Sequence, residues 1–304
     1  MKKDLISIAD LETAEILEML DLAAKVKKDR AAYAGSLKGK SIALIFQKPS
    51  NRTRVSFEIG ISELGGHAIY LGPGEIDMGV REVVKDVACV LSRYINAIVA
   101  RTNRHSDMEE LARHAAVPVI NGLSDKAHPC QALGDIFTIR EKLGTFKGVV
   151  LSYVGDGNNV LNSLMAAAAK VGLNMKIATP KGYEPAKDAV TKARAYAKAS
   201  GSTIELSNSP QEAAKGADVI YTDVWVSMGQ EKEAKERLKA FGNFQLNDKM
   251  MKSARPACLV MHCLPAHRGQ EITDSVIDSK NSVVYDQAEN RMHVEKAILL
   301  QLLK

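Results

Sequence analysis

Ser50-Asn51-Arg52-Thr53-Arg54 packs two guanidinium groups and two hydroxyls into five consecutive residues, directly behind the breaker Lys48-Pro49. An apolar run, Ser41–Phe46, precedes the segment and a helical pattern over residues 52–64 follows it, so these residues open a helix. The backbone N–H groups of a helix N-terminus suit a phosphate. Ser50 and Thr53 add hydroxyls, and the fork of Arg52 holds two oxygens at once. A capped helix start with solvated arginines would use the same residues. The stretch is not a Walker A loop, because the glycine run and the Gly-Lys-Ser/Thr ending are absent. Arg101 follows a short strand at 97–100. His128 stands at a helix N-terminus with Pro129 at the first helical position, where a neutral imidazole is favoured over imidazolium. Gln131 lies one turn later on the same face.

A second group of polar residues lies further along. Gly155-Asp156-Gly157-Asn158-Asn159-Val160 invites a dinucleotide-binding reading, but Val160 replaces the third glycine. The next strand ends in Ala178-Thr179-Pro180-Lys181, with no acidic ribose ligand, so both departures weigh against NAD. Asp223 follows the run Val219–Thr222, and Cys263 follows another short strand. Of the four cysteines, Cys89, Cys130, Cys258 and Cys263, none forms a Cys-x-x-Cys pair, which argues against a structural zinc. They read as reduced thiols of a cytoplasmic protein. No metal and no cofactor is expected.

The elements that must hold these residues alternate. Strands are expected at 41–46, 68–71, 97–100 and 117–120, with helices at 52–64, 83–91, 108–115 and 128–143. A second series follows, with strands at 149–154, 175–178, 203–206, 219–222, 259–261 and 283–285. Its helices fall at 160–171 and 185–199, and a closing helix comes after Glu289. Asp10 is expected to cap a first helix that turns Ile16, Leu20, Ala23 and Val26 to one side. Strand–helix alternation is the signature of a parallel sheet covered on both faces. The fold class is therefore α/β, in two domains each with a central parallel sheet flanked by helices. The boundaries fall at 1–144 and 145–288, with 289–304 as the closing helix.

At 304 residues, two domains fit the usual domain size. Hydrophobic residues at 46% and charged residues at 25% give a soluble globular balance. The excess of 41 Lys and Arg over 36 Asp and Glu is small and spread along the chain, without the basic patch of a nucleic-acid binder. No apolar run of about 18 residues exists to span a membrane.

Four motifs in order make the chain resemble a known family. Ser50–Arg54 resembles the SxRTR signature of aspartate and ornithine carbamoyltransferases, and His128-Pro129-Cys130-Gln131 their HPxQ motif. Asp223-Val224-Trp225-Val226-Ser227-Met228-Gly229 resembles the DxxxSMG loop of the ornithine branch, and His262-Cys263-Leu264-Pro265 its HCLP element. The resemblance covers essentially the whole chain. It implies a carbamoyl-phosphate domain, an amino-acid domain, and a C-terminal helix that returns to the first domain. It also implies a homotrimer or a multiple of trimers, and the reaction shared by arginine biosynthesis and citrulline breakdown.

Residue roles follow from the resemblance. Ser50, Asn51, Arg52 and Thr53 would wrap the phosphate, with Asn51 standing where threonine is more usual. Arg54 would brace the loop through Glu58. Arg101 would touch phosphate and carbonyl oxygen, His128 would donate to that oxygen, and Gln131 would hold the carbamoyl NH2. Arg291, at the start of the closing helix, would complete the pocket, while His293 and Glu295 read as ordinary polar positions. Asn159 would meet the ornithine carboxylate and Asp223 its α-ammonium, with Ser227 and Met228 lining the headgroup. Cys263 and the carbonyl of Leu264 would lie near the attacking amine and the carbamoyl group. Asp77 stands where the family commonly has glutamine, and a carboxylate there is expected to turn away or pair with a cation. A pocket with Asp223 and Cys263 and no added cations fits ornithine better than aspartate, the nearest rival.

Overall fold

The computed structural model describes residues 3–227 and 229–303. The chain divides into two compact units. One comprises the residues up to Phe137 together with those from Glu289 onward, and the other is Thr138–Ala288.

The first unit contains α1 (Thr13–Lys28), β1 (Ser41–Phe46), α2 (Asn51–Glu63), β2 (His67–Leu71), α3 (Val84–Leu91), β3 (Ala97–Arg101), α4 (His105–His114), β4 (Val119–Leu123) and the start of α5 (Pro129–Leu143). Its four strands are all parallel, in the order β2-β1-β3-β4. Burial on both faces explains why β1 and β3 read as unbroken apolar runs. The direction of winding reverses between β1 and β3. Open α/β sheets bind ligands in the crevice at the carboxyl ends of such a pair. The Ser50 segment follows β1, and Arg101 is the last residue of β3, so both emerge there. Register slips between β3 and β4, where Ala100 faces Asn121 and Arg101 faces Leu123. The extra residue is Gly122, whose missing Cβ would lie 3.2 Å from the Ala100 carbonyl oxygen. A bulge of this kind re-aims the neighbouring side chain.

The second unit contains the rest of α5, then β5 (Val150–Val154), α6 (Asn159–Val171), β6 (Asn174–Ala178), α7 (Lys187–Ser200), β7 (Ile204–Ser207), α8 (Pro210–Ala214), β8 (Val219–Thr222), α9 (Ala234–Phe241), α10 (Asp248–Met251), β9 (Leu259–His262), α11 (Asp274–Ile277) and the first turn of α12 (Val284–Leu302). Its parallel strands run β7-β6-β5-β8-β9, so the switch falls between β5 and β8. The Gly155–Asn158 turn leaves β5 there, and Asp223 follows β8. An apolar cluster holding Trp225, Phe241 and Ile220 packs beneath these turns.

Three expectations need correction. Residues 283–285 are not a strand. Val283 donates one backbone hydrogen bond to Val260 at 3.0 Å, and its own carbonyl then accepts from Gln287 at 2.8 Å, which turns the chain into α12. The β-branched pair Val283-Val284 imitated a strand, but it sits on the first turn of a 19-residue helix. Arg291 therefore lies inside a helix and not at its start. Asp10 does not cap α1, whose N-cap is Glu12. It closes a capping box with Ser7 around a preceding 3-10 turn. Ile16, Leu20, Ala23 and Val26 are all buried on α1, as their spacing requires.

Candidate active site

The first unit gathers cations around a helix start. Ser50 caps α2 by accepting from the Thr53 N–H at 3.3 Å, which puts Asn51, Arg52 and Thr53 in the first turn. Arg54 turns out of this group, pairing with Glu58 at 3.1 Å and lying over the Tyr70 ring. The Thr53 hydroxyl oxygen accepts from Arg101 Nη1 at 3.2 Å and from Arg291 Nη2 at 3.1 Å. Both acceptor positions of that oxygen are then filled, so the hydroxyl proton is left to donate elsewhere. Arg291 Nη1 also donates to Gln131 Oε1 at 2.9 Å, and Gln131 Nε2 donates to Asp135 at 2.8 Å.

Thr53, Arg101, Gln131 and Arg291 are all buried. Burial, with the neighbouring charges of Arg291 and Arg52, pushes the Arg101 guanidinium down to about 10. His128 is buried as well. Its carbonyl accepts from Ala132 N–H at the head of α5. Burial, followed by the charges of Arg291, Arg101 and Arg52, holds its imidazole well below the usual histidine range. The imidazole is therefore neutral near pH 7, a donor that adds no further charge. Cys130 is core packing, with its thiol against the Asn121 carbonyl.

Asp77 belongs to none of this. It is exposed at a φ of 50°, and its carbonyl accepts from Val80 and Arg81 N–H. His293 and Glu295, taken as ordinary helix polarity, are both fully buried. Glu295 Oε1 accepts from Arg291 Nη2 at 2.7 Å. Glu295 read as ordinary because a carboxylate one turn from a cation looks like a surface pair until burial is known, and Asp135, one turn from Gln131, gave no signal of its own.

The second unit is organised around Asp223, also buried. Its Oδ2 accepts from Asn158 Nδ2 at 2.7 Å. Its Oδ1 accepts from Val224 N–H at 2.8 Å and from the Cys263 thiol at 2.9 Å. Asn158 is the N-cap of α6, its Oδ1 taking the Val160 and Leu161 N–H groups. Asn159 is the first residue of that helix, half-buried. Ser227 is half-buried, and its N–H donates to Gln230 Oε1 at 3.0 Å. Met228 lies outside the described residues. Asn158 is the partner that motif reading passed over, although a polar residue just before a helix is a capping signal.

His262 ties down the segment after β9. Its Nδ1 accepts from Leu264 N–H at 2.8 Å, so the ring proton sits on Nε2 and is donated to Glu271 at 3.1 Å. Leu264 has a φ of 57°, in the left-handed region that costs a β-carbon residue about 1–2 kcal/mol. Asp223, His262 and Cys263 bring potential ligand atoms within 4.8 Å of one another. The imidazole contacts nevertheless occupy both ring nitrogens.

A parallel α/β unit that sets three guanidinium groups around a neutral imidazole marks an enzyme gripping an anionic substrate with fixed cations. Family models make the class specific. Residues 3–141 match the carbamoyl-P binding domain of aspartate/ornithine carbamoyltransferase, and residues 147–302 match its Asp/Orn binding domain. The chain belongs to the aspartate/ornithine carbamoyltransferase family. It is 53% identical over 303 residues to an ornithine carbamoyltransferase of Archaeoglobus fulgidus, covering 99% of this chain and 97% of that one. It is 54% identical to one of Pyrococcus abyssi, covering 99% and 96%. The solved ornithine carbamoyltransferase of Pyrococcus furiosus superimposes with a TM-score of 0.95 at 54% identity, covering 98% and 96%.

Proposed function

We propose that this enzyme transfers the carbamoyl group of carbamoyl phosphate to the δ-amine of L-ornithine, giving L-citrulline and phosphate. The observation that carries the reading is the junction of Arg101 and Arg291 on the Thr53 hydroxyl, beside neutral His128. Residues 1–144 with the closing helix 289–304 bind carbamoyl phosphate, and residues 145–288 bind ornithine.

The neutral δ-amine attacks the carbonyl carbon. An N–C bond forms, the C–O bond to phosphate breaks, and the amine proton leaves with the phosphate or to solvent. The leaving phosphate gains charge as the bond breaks. Ser50, Asn51, Arg52 and Thr53 wrap it, Arg52 and Arg291 supply countercharge, and the Thr53 hydroxyl donates its uncommitted proton. Arg101 and His128 donate to the carbonyl oxygen as it becomes an oxyanion. A neutral imidazole serves here because it donates without repelling the three arginines. Gln131 orients the carbamoyl NH2. On the amino-acid side Asp223 meets the α-ammonium, Asn159 the carboxylate, and Ser227 and Met228 line the headgroup. Cys263 and the Leu264 carbonyl serve the δ-amine and the carbamoyl group, the carbonyl accepting an N–H of the neutral amine so that its lone pair is aimed at the carbon.

The enzyme works in the cytoplasm as a homotrimer or a multiple of trimers. Exposed Val55, Ile59, Val83, Val90 and Tyr94, all in the first unit, support assembly, since apolar surface of this kind is what subunit contacts cover. No helix among the described residues is long and apolar enough to cross a membrane.

Carbon NMR with carbonyl-labelled carbamoyl phosphate tests the reaction. The label should appear in the ureido carbon of citrulline only when ornithine and enzyme are both present. Release of label as carbamate or bicarbonate alone would contradict it.

A further inference from the structure

The anion site of the first unit contains a group that electrostatics alone would exclude. Glu295 lies one turn beyond Arg291 on α12, fully buried, with Oε1 at 2.7 Å from Arg291 Nη2. A carboxylate at this place repels any phosphate that the arginines attract. Burial pushes the Glu295 carboxyl up from the ordinary carboxylate range, against the lowering pull of the Arg291 charge and the Ser56 hydroxyl, so its negative charge is held at a cost. Burying a charge on such terms is costly unless it serves a purpose.

The geometry shows what Glu295 determines. Arg291 Nη2 carries two protons. One goes to Glu295 and the other to the Thr53 hydroxyl at 3.1 Å. With that edge pinned at both ends, Nη1 falls on Gln131 Oε1 at 2.9 Å. Gln131 is then held with its amide nitrogen on Asp135 at 2.8 Å. The rotation of the guanidinium plane is thus fixed by an acceptor that touches no substrate.

We propose that Glu295 is a positioning residue. It orients Arg291, and through Arg291 the Thr53 hydroxyl and Gln131 amide, for the carbamoyl group and its leaving phosphate. The neighbouring arginine supplies a contrast. Arg101 pairs with no carboxylate among the described residues, and burial with the Arg291 and Arg52 charges pushes it down to about 10, whereas Arg291 is held above its ordinary value against burial, first by Glu295 and then by Cys130 and Asp135. This inference rests on the carbamoyl-phosphate reading of the site.

The sign of the effect separates positioning from simple charge balance. Removing a negative charge from an anion site raises anion affinity, while loss of orientation lowers turnover. In Glu295→Gln, inorganic phosphate measured by calorimetry should bind as tightly as in the parent or tighter. At saturating carbamoyl phosphate, kcat should fall about ten-fold or more, with KM for ornithine within about two-fold. The same substitution in an Arg291→Lys background should cost less than about two-fold in kcat, because the group that Glu295 orients is already gone. Melting curves of all four proteins report the folded fraction independently.

Several results would overturn the inference. One is unchanged kcat in Glu295→Gln. Another is a fall in phosphate affinity that matches the fall in kcat. A third is an equal cost in the two backgrounds. If the parent bound neither phosphate nor carbamoyl phosphate, the functional reading itself would fail and take this inference with it. Normal parental binding with any of the three results would overturn the inference alone.

Discussion

Replacing Asp223 by asparagine tests the amino-acid side of the site with little change of volume. The carboxylate takes three donors: Asn158 Nδ2 at 2.7 Å, Val224 N–H at 2.8 Å and the Cys263 thiol at 2.9 Å. Asparagine keeps Oδ1 for the last two. Its new NH2 group then faces Asn158 Nδ2, donor against donor. Asn158 is not free to flip, because its Oδ1 caps α6 through Val160 and Leu161 N–H. Two costs follow. Loss of an ion-paired hydrogen bond to the α-ammonium removes about 1.5–3 kcal/mol from transition-state binding. At 1.4 kcal/mol per factor of ten, kcat/KM for ornithine should fall about 10- to 150-fold. The donor clash costs about 1–3 kcal/mol of fold stability instead, which a melting curve reads separately. The assay is colorimetric detection of ureido product, with each substrate titrated while the other is saturating. KM for carbamoyl phosphate should stay near the parental value. Undiminished ornithine efficiency in the folded variant would refute the argument and make Asp223 a structural turn residue. Equal damage to both substrates would refute it too.

Arg52→Ala should weaken carbamoyl phosphate by about 2–5 kcal/mol, as loss of a charge-assisted contact does, and calorimetry that finds parental affinity would remove Arg52 from the site. Cys263→Ser keeps a donor for Asp223 and should retain about ten-fold more activity than Cys263→Ala on steady-state comparison, with equal activities counting against the Cys263–Asp223 contact. His128 is held well below 6.5 in the fold, so the native state resists a proton that the unfolded chain accepts below about 6.5. Stability should therefore fall as pH drops below that value, by up to about 1.4 kcal/mol per pH unit for this group, and His128→Gln should flatten denaturant midpoints measured across the range.

Much of the fold was readable because parallel strands buried on both faces show themselves without help. Ser41–Phe46 and Val219–Thr222 are apolar runs bounded by polar turns, and both form strands with those limits. The same logic failed at Val283-Val284. Ser282 just before them makes one bridge with Val260, and the two β-branched residues then enter a helix fixed by contacts distant in sequence, such as Asn290 with Lys27. The short helices α8 to α11 escaped notice because four to eight residues carry too little periodicity. For α8 the cap Ser209 and Pro210 at the first position were the available signal. In the site, motif residues were visible because they lie at strand and helix ends. Their supports were not. Asn158 acts through a partner from another segment, Asp223, while Asp135 and Glu295 act through the burial of a pair within one helix, and neither is encoded in local spacing. Glu295 is the clearest case, since an i to i+4 pair with Arg291 looks the same on a solvated helix as in a core.

The central claim is the choice of acceptor amine, and a competition among amines tests it most directly. Ornithine, aspartate, putrescine and N-acetylornithine are offered separately with saturating carbamoyl phosphate, and ureido product is followed in each. The account predicts that ornithine gives the highest kcat/KM, because the Asp223 carboxylate suits a free α-ammonium. Aspartate should be poor, since its second carboxylate would lie beside the Asp223 carboxylate and be repelled by it. A higher kcat/KM for aspartate, or for an amine whose α-ammonium is missing or blocked, would contradict it.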